Sequence, residues 1–569
     1  MTFKRHFAAN LYHIPFHYPS KQVLGKMICS SRKKTMGGWL HISFAIWWLA
    51  FTPAFASSSL SEGLGVEHPS ETTRDQIAMI TKGYRSVESK SIVPRKPGLS
   101  ERAREFLSLL STIEAEGLEP EHYYKEEMVA LSAKSDISEA EFWSIERSVG
   151  SAYLKLGKDL AQGQTDWTDF NPRWYIPRNG MQQDQLDAVL ASEHRMSDAV
   201  VRLSPAHESY RGLKNALLKY KKIARTGGWE IVEGRRKLEL GTESPMVEKL
   251  RQRLAKVGDL DSSGAANPNL FNERLEAAVK RFQSRHGLTA DGIVGRKTRK
   301  ALNVSAEERL NQIRINMERW RWMPRELGDR YIFVNTAAFK LEYIEDDEVQ
   351  LKMRVIVGDL DNRTPVFTKQ LTYVDINPVW NVPQKIVTEE ILPKLAMKPD
   401  YLETNRFRIL SDWTRNAQQL SLEETGWTSE SNEEFSYRLQ QESGERNALG
   451  RIKFMLPNHF NIYLHDTPGK SLFKKARRTF SHGCIRLENP RELALALFEQ
   501  LDRWDKRRLD EALESKSNVQ AVLKTPVPVY ITYFTSWVDE EGMLYFSGDH
   551  YGRDRVLAAQ LFPGKAITY

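Results

Sequence analysis

Ser481-His482-Gly483-Cys484-Ile485-Arg486-Leu487, preceded by Tyr463-Leu464-His465-Asp466, is the stretch on which the reading of this 569-residue chain turns. It brings two histidines within range of one cysteine. A thiol attacks a carbonyl as its thiolate, and a neighbouring imidazole can take that proton at neutral pH, against an ordinary cysteine pKa of about 8.5. The residues therefore fit covalent catalysis with Cys484 as nucleophile. On a strand His482 would share a face with Cys484, whereas His465 comes from another strand, so spacing alone does not choose the base. Gly483 lets the backbone turn closely around the nucleophile, so the amides of Gly483 and Cys484 can face an oxyanion. Arg486 offers a planar fork for a substrate carboxylate. A tetrahedral zinc site would need further paired ligands that a single cysteine does not bring. An inert buried cysteine would leave Gly483, Arg486 and His465 unexplained.

Outward from this segment the pattern is strand-like. Short apolar runs cover Tyr331 to Asn335, Phe339 to Ile344, Val349 to Val357 and Leu371 to Ile376, and resume at Arg451 to Leu456 and Asn461 to His465. They predict a β-rich domain over 331–510, with an insertion at about 394–447 that reads as a lid. Residues 511–569 read as a segment packing on the catalytic or scaffold domain.

Upstream the period becomes helical. Ser305 and Glu308 make a capping box for a connector at 305–330 that Pro324 stops. Its arginines, Arg309, Arg314, Arg319 and Arg321, read as a solvated face. Over 244–304 a helix with Val247, Leu250 and Leu254 is followed by one with Leu275, Ala278, Val279 and Phe282. Gly287 closes the second helix, and Asp291-Gly292 is turn chemistry before a short third. Residues 57–243 form a helical scaffold, with one amphipathic face at Ala103, Phe106, Leu107, Leu110 and Ile113 and a capping box at Ser138 and Glu141.

The first 56 residues hold seven Lys or Arg and no acid. A basic cluster at Arg32 to Lys34 precedes the apolar Trp39 to Phe55 and the small-x-small Ala54-Phe55-Ala56, which predicts an export leader cleaved after Ala56, with translation starting at Met27. The rival reading, an uncleaved membrane anchor, has against it an apolar run shorter than the ~20 residues of a spanning helix. Without the leader 75 basic residues face 74 acidic ones, so the chain's +8 charge comes mostly from the leader and a nucleic-acid partner loses its support. Cys29 leaves with it. Cys484 is then a lone thiol carried into an oxidising compartment, where it cannot form an internal disulfide. The remaining composition, 41% hydrophobic and 27% charged, is that of globular domains with sizeable cores.

The run AVKRFQSRHGLTADGIVGRKTRKALN resembles three-helix peptidoglycan-binding modules, and His465 followed by SHGCIRL is similar to the signature of L,D-transpeptidase catalytic domains. Asn377-Pro-Val-Trp380-Asn-Val-Pro383 looks like that family's strand-to-loop segment ahead of the site. The whole resembles the large periplasmic L,D-transpeptidases, a multidomain α+β architecture. The resemblance implies that His465 is the base, oriented by Asp466 through backbone or side chain, and that His482 and Gly483 serve the oxyanion through the backbone. It implies Arg486, Ser481, Tyr463 and Trp380 as substrate contacts. It further implies peptidoglycan tetrapeptide stems and glycan strands as partners, diaminopimelate-to-diaminopimelate cross-links as product, no cofactor or metal, and acylation by carbapenems. Water or a lipoprotein lysine as acceptor, and a non-catalytic peptidoglycan-binding scaffold, are the rival readings.

Overall fold

The computed structural model describes residues 99–564, apart from 125, 133, 135, 167–172, 178–180, 193, 262–263 and 429–434. The expected leader and its cleavage point lie outside the described residues. No helix among those described is long and apolar enough to cross a membrane. The architecture is multidomain α+β.

The scaffold's longest helix, Glu139–Gln162, starts at a capping box in which Ser138 and Glu141 satisfy each other's backbone amides. Its buried Ile145, Val149, Tyr153, Leu156 and Leu160 recur at helical spacing and pack with Phe106, Leu186 and Leu203 of the helices around it. Each large apolar side chain so buried stabilises the unit by roughly 1.5–3 kcal/mol. The next unit has three helices, Pro245–Val257, Glu273–Arg285 and Arg296–Leu302, around a core of its own. Gln283, 1% exposed, fixes the turn between the last two. Its amide donates to Asp291 Oδ1 (2.7 Å) and Ile293 O (3.0 Å), and its oxygen accepts from Gly292 N–H (2.8 Å).

The following helix, Ala306–Trp322, corrects the expectation of a connector with a solvated arginine face. Arg309, Arg319 and Arg321 are buried, and Gln312, Asn316 and Glu318 have no exposed surface. Arg321 pairs with Glu318 (2.8 Å), Arg319 with Asp554 (2.6 Å) and Arg314 with Glu119 (2.9 Å), while Arg309 donates to Gln312 (2.7 Å). Two of these acids are remote in sequence, which is why the arginines look unpaired along the chain. The helix is a polar pillar on which the scaffold and the β-rich domain both pack, and charges so deeply placed persist only when paired.

The β-rich domain is a closed ring. Its strands are β2 (Arg330–Asn335), β3 (Lys340–Glu345), β4 (Glu348–Gly358), β5 (Val366–Ile376), β10 (Ile452–Met455), β11 (Leu464–His465), β13 (Ile485–Leu487) and β14 (Val519–Thr532). The order is β5-β10-β11-β13-β4-β3-β2-β14, and β14 pairs back onto β5, closing it. Short β1 (Trp174–Tyr175) joins β5 and β12 (Thr479–Ser481) joins β4, while β15 (Ser536–Val538) and β16 (Leu544–Phe546) form a separate pair. Part of the expected C-terminal segment is therefore a full strand of the ring and does not merely pack upon it. Pro526 and Pro528 interrupt its sequence, but the strand bulges between Val522 and Val527 and keeps pairing on both sides.

Alternation along the strands sorts the side chains. Val374, Ile376, Ile452, Phe454, Leu464, Ile485 and Leu487 fill the interior. The intervening residues face outward, beneath a small subdomain inserted between β5 and β10. That subdomain has a sheet of β6 (Trp380–Asn381), β9 (Arg438–Gln441), β7 (Phe407–Leu410) and β8 (Gln419–Leu420), in that spatial order, and a core of Val382, Val387, Ile391, Ile409, Phe435 and Leu439. It begins earlier than the 394 read from sequence, because Trp380 and Asn381 pair with Gln441 and Gln440 instead of continuing toward the ring.

Candidate active site

Strand register assembles the site. Asp375 on β5 lies opposite Lys453 on β10, Lys453 opposite His465 on β11, and His465 opposite Arg486 on β13. Residues directly opposite share a face, so these four form one polar row across the outer surface of the ring.

Cys484 stands at the end of this row, in the loop between β12 and β13. Ser481 staples the loop: its hydroxyl donates to Cys484 O (2.5 Å) and accepts from Gly483 N–H (3.2 Å). Gly483 has φ +113°, a backbone conformation closed to side-chain-bearing residues. Thr364 Oγ1 donates to Gly483 O (2.7 Å) and Asp359 N–H to Ser481 O (2.8 Å), so the β4–β5 loop braces the turn that carries Cys484. Two expectations change here. The Gly483 N–H, expected to face an oxyanion, is committed to Ser481. Ser481, expected to hydrogen-bond within the site and to touch substrate, spends its hydroxyl within the loop.

The Cys484 thiol is half-buried and directed at Asn461 O (3.6 Å). Burial pushes its pKa up, against the Tyr463 amide and phenol and the charges of Lys453 and Arg486. His465 is 4% exposed, and its Nδ1 has no hydrogen-bond partner. Burial first, and the Arg486 charge next, hold the imidazole down to about 3, so it is neutral at physiological pH. The Asp466 carboxylate turns away from it, accepting from Arg451 N–H (2.9 Å) and pairing with Lys470 (2.7 Å). Gly450 makes room for this, since a Cβ there would lie 2.4 Å from Asp466 Cγ. The Tyr463 ring meets His465 edge-on at 5.6 Å.

Cys484, His465, Arg486, Tyr463, Trp380, Ser481 and His482 all line one cleft of about 510 Å³ between the ring and the inserted subdomain. Arg486 lines the cleft, and its buried Nε has no hydrogen-bond partner. Trp380 forms part of the cleft wall contributed by the small sheet. His482 pairs its Nε2 with Glu390 Oε1 (2.5 Å) from the inserted subdomain. Among the described residues, no three His, Cys, Asp or Glu are grouped to hold a metal.

Sequence reasoning missed Lys453 and Glu390. The signal for Lys453 is that it lies between the inward Ile452 and Phe454 and so on the face that carries His465, which only the register reveals. Glu390 sits in the π-helical turn Val387–Ile391, a distortion that accompanies functional sites and leaves no local sequence mark.

Residues 329–529 match the YkuD family, described as the L,D-transpeptidase catalytic domain, residues 243–302 match a "Putative peptidoglycan binding domain", and residues 80–217 match a "Scaffold domain". Residues 329–529 are thus similar to L,D-transpeptidase catalytic domains and residues 243–302 to peptidoglycan-binding modules. A curated Haemophilus influenzae protein named "Putative L,D-transpeptidase" is 36% identical over 253 residues, which span 44% of this chain and half of that protein. Among solved structures, an L,D-transpeptidase from Mycobacterium smegmatis is 14% identical, with a TM-score of 0.17 over 36% of this chain and 58% of its own. One from Stackebrandtia nassauensis is 13% identical, with a TM-score of 0.21 over 52% and 94%.

Proposed function

We propose that the chain is an exported L,D-transpeptidase that joins diaminopimelate residues of peptidoglycan stems through a thioester on Cys484. The observation that carries this is the meeting in one cleft of a thiol, a neutral imidazole and a guanidinium: Cys484, His465 and Arg486. The domain matches support peptidoglycan as the material acted upon and an extracytoplasmic location. On this reading the leader is removed after Ala56 and the mature protein works in the periplasm.

Cys484 attacks the carbonyl at the L-centre of diaminopimelate in a tetrapeptide stem. His465, neutral, takes the thiol proton and returns it to the departing D-Ala amine. Arg486 holds a stem carboxylate, and Tyr463 and Trp380 line the bound peptide. With the Gly483 amide committed to Ser481, the main chain at Cys484 and His482 receives the oxyanion, each such donor being worth ~2.7–4 kcal/mol. The amine of a second stem then resolves the thioester. The same thiolate opens the ring of a carbapenem.

The test is incubation of the mature protein, and of Cys484→Ala, with disaccharide tetrapeptides, followed by mass spectrometry. Cross-linked dimer from wild type alone is expected. Hydrolysed stem alone would make the protein a carboxypeptidase. Unchanged substrate from a folded, glycan-binding wild type would sink catalysis and leave a binding scaffold.

A further inference from the structure

Among the described residues lining the cleft, Glu390 is the one carboxylate, and it shares that lining with Lys385, Lys394, Arg446 and Arg486. A lone anion in a cationic cleft is unsuited to a stem's carboxylates. It suits the one positive group a second stem must present. Glu390 lies on the subdomain side, and its Oε1 meets His482 Nε2 (2.5 Å), two residues from the nucleophile, while Oε2 takes Lys394 Nζ (3.2 Å). The His482 and Glu390 side chains are 33% and 36% exposed, so both remain reachable from the cleft. The Lys394 contact is a half-exposed i,i+4 pair, of a kind worth little and readily exchanged.

We propose that Glu390, paired with His482, is the acceptor subsite: it binds the ammonium of an incoming α-amino carboxylate and takes its first proton, with Lys394 released to the adjoining carboxylate. This deepens the transpeptidase reading and rests on it. An amine reaches the enzyme as an ammonium and must lose a proton before its nitrogen can attack. One proton passes from R–NH3+ to Glu390. The neutral nitrogen attacks the thioester carbonyl, the C–N bond forms, the C–S bond breaks and the Cys484 sulfur departs as thiolate. The second nitrogen proton passes through His465 to that thiolate, and Glu390 gives its proton to water. Water as acceptor carries no positive charge for Glu390 to hold, so the residue favours cross-linking over hydrolysis by binding the ammonium.

The experiment compares mature wild type, Glu390→Gln and Glu390→Asp with disaccharide tetrapeptide as donor and acceptor, reading the Cys484 acyl adduct by mass and the ratio of cross-linked to hydrolysed product. Glu390→Gln is expected to lower that ratio at least tenfold and to raise the acceptor concentration needed for half-maximal cross-linking, with Glu390→Asp recovering part of both. A wild-type ratio in Glu390→Gln overturns the proposal. So does an equal loss of acyl adduct in Gln and Asp variants, which would make Glu390 only a clasp for the subdomain. Absence of the adduct from wild type is a different failure, that of the transpeptidase reading itself.

Discussion

Lys453 stands directly opposite His465 in the β10–β11 pair, and its ammonium lies 4.0 Å from the centre of the Tyr463 ring. A cation held there favours the thiolate of Cys484 against the burial that opposes it. Lys453→Met removes the charge and keeps much of the bulk. The pH profile of Cys484 alkylation by iodoacetamide should move to higher pH, with a several-fold slower reaction at pH 7; an unmoved profile would deny Lys453 this influence.

The wild-type profile has its own expected shape. With the imidazole held down to about 3 and the thiol pushed up, the resting pair is neutral and not a thiolate with an imidazolium. Alkylation should therefore climb steadily from pH 6 past 8.5, and a plateau around neutrality would contradict the electrostatics. Stability follows the same imbalance. Below about 6.5 the unfolded imidazole binds a proton that the folded one refuses until about 3, so stability falls as pH drops through that window. His465→Gln should flatten this limb in thermal melts at pH 7, 5 and 4.

Gly483 is constrained by its backbone and not by room, since a Cβ would find its nearest neighbours at 3.7 Å. Gly483→Ala should cost about 1–3 kcal/mol in strain. Relief of that strain would rotate the loop bearing Cys484, so carbapenem acylation should slow more than tenfold while the melting temperature drops by only a few degrees.

Ser481→Ala unfastens the same loop without straining it. It deletes the bonds to Cys484 O and Gly483 N–H, each worth about 1 kcal/mol. Acylation kinetics should show a lower kcat with KM little changed; a KM effect alone would return Ser481 to the role of a substrate contact.

Asp554→Ala leaves Arg319 without its carboxylate in a setting where the two side chains are 0% and 2% exposed. Breaking such a pair costs about 3–5 kcal/mol. Calorimetry should show a large fall in melting temperature, and a wild-type melt would mean that the pillar helix carries little load.

Much of the site was legible because it is local. Gly483, Cys484 and Arg486 lie within four residues, and the capping boxes at Ser138 and Ser305 each span a single turn. The module around Gln283 was legible for the same reason. What escaped depends on distant partners. Lys453 gains its meaning from a strand register, Glu390 from a subdomain folded over the ring, and Arg319 from an acid more than two hundred positions away. The Gly483 amide escaped in a narrower way: composition shows which atoms can bond, whereas the turn decides that it bonds Ser481.

The double pairing of β14 carries a consequence for the order of assembly. Residues 519–532 seal the ring between β5 and β2, and they follow Cys484 in the chain. A polypeptide threading out from its N-terminus therefore delivers its thiol before the strand that locks the register around it. Until that strand arrives, β5 and β2 are unsatisfied edges, and Lys453, His465 and Arg486 have no fixed alignment. Alignment is thus timed by completion: a chain that ends before residue 519 would hold the Cys484 thiol without the fixed row of side chains beside it.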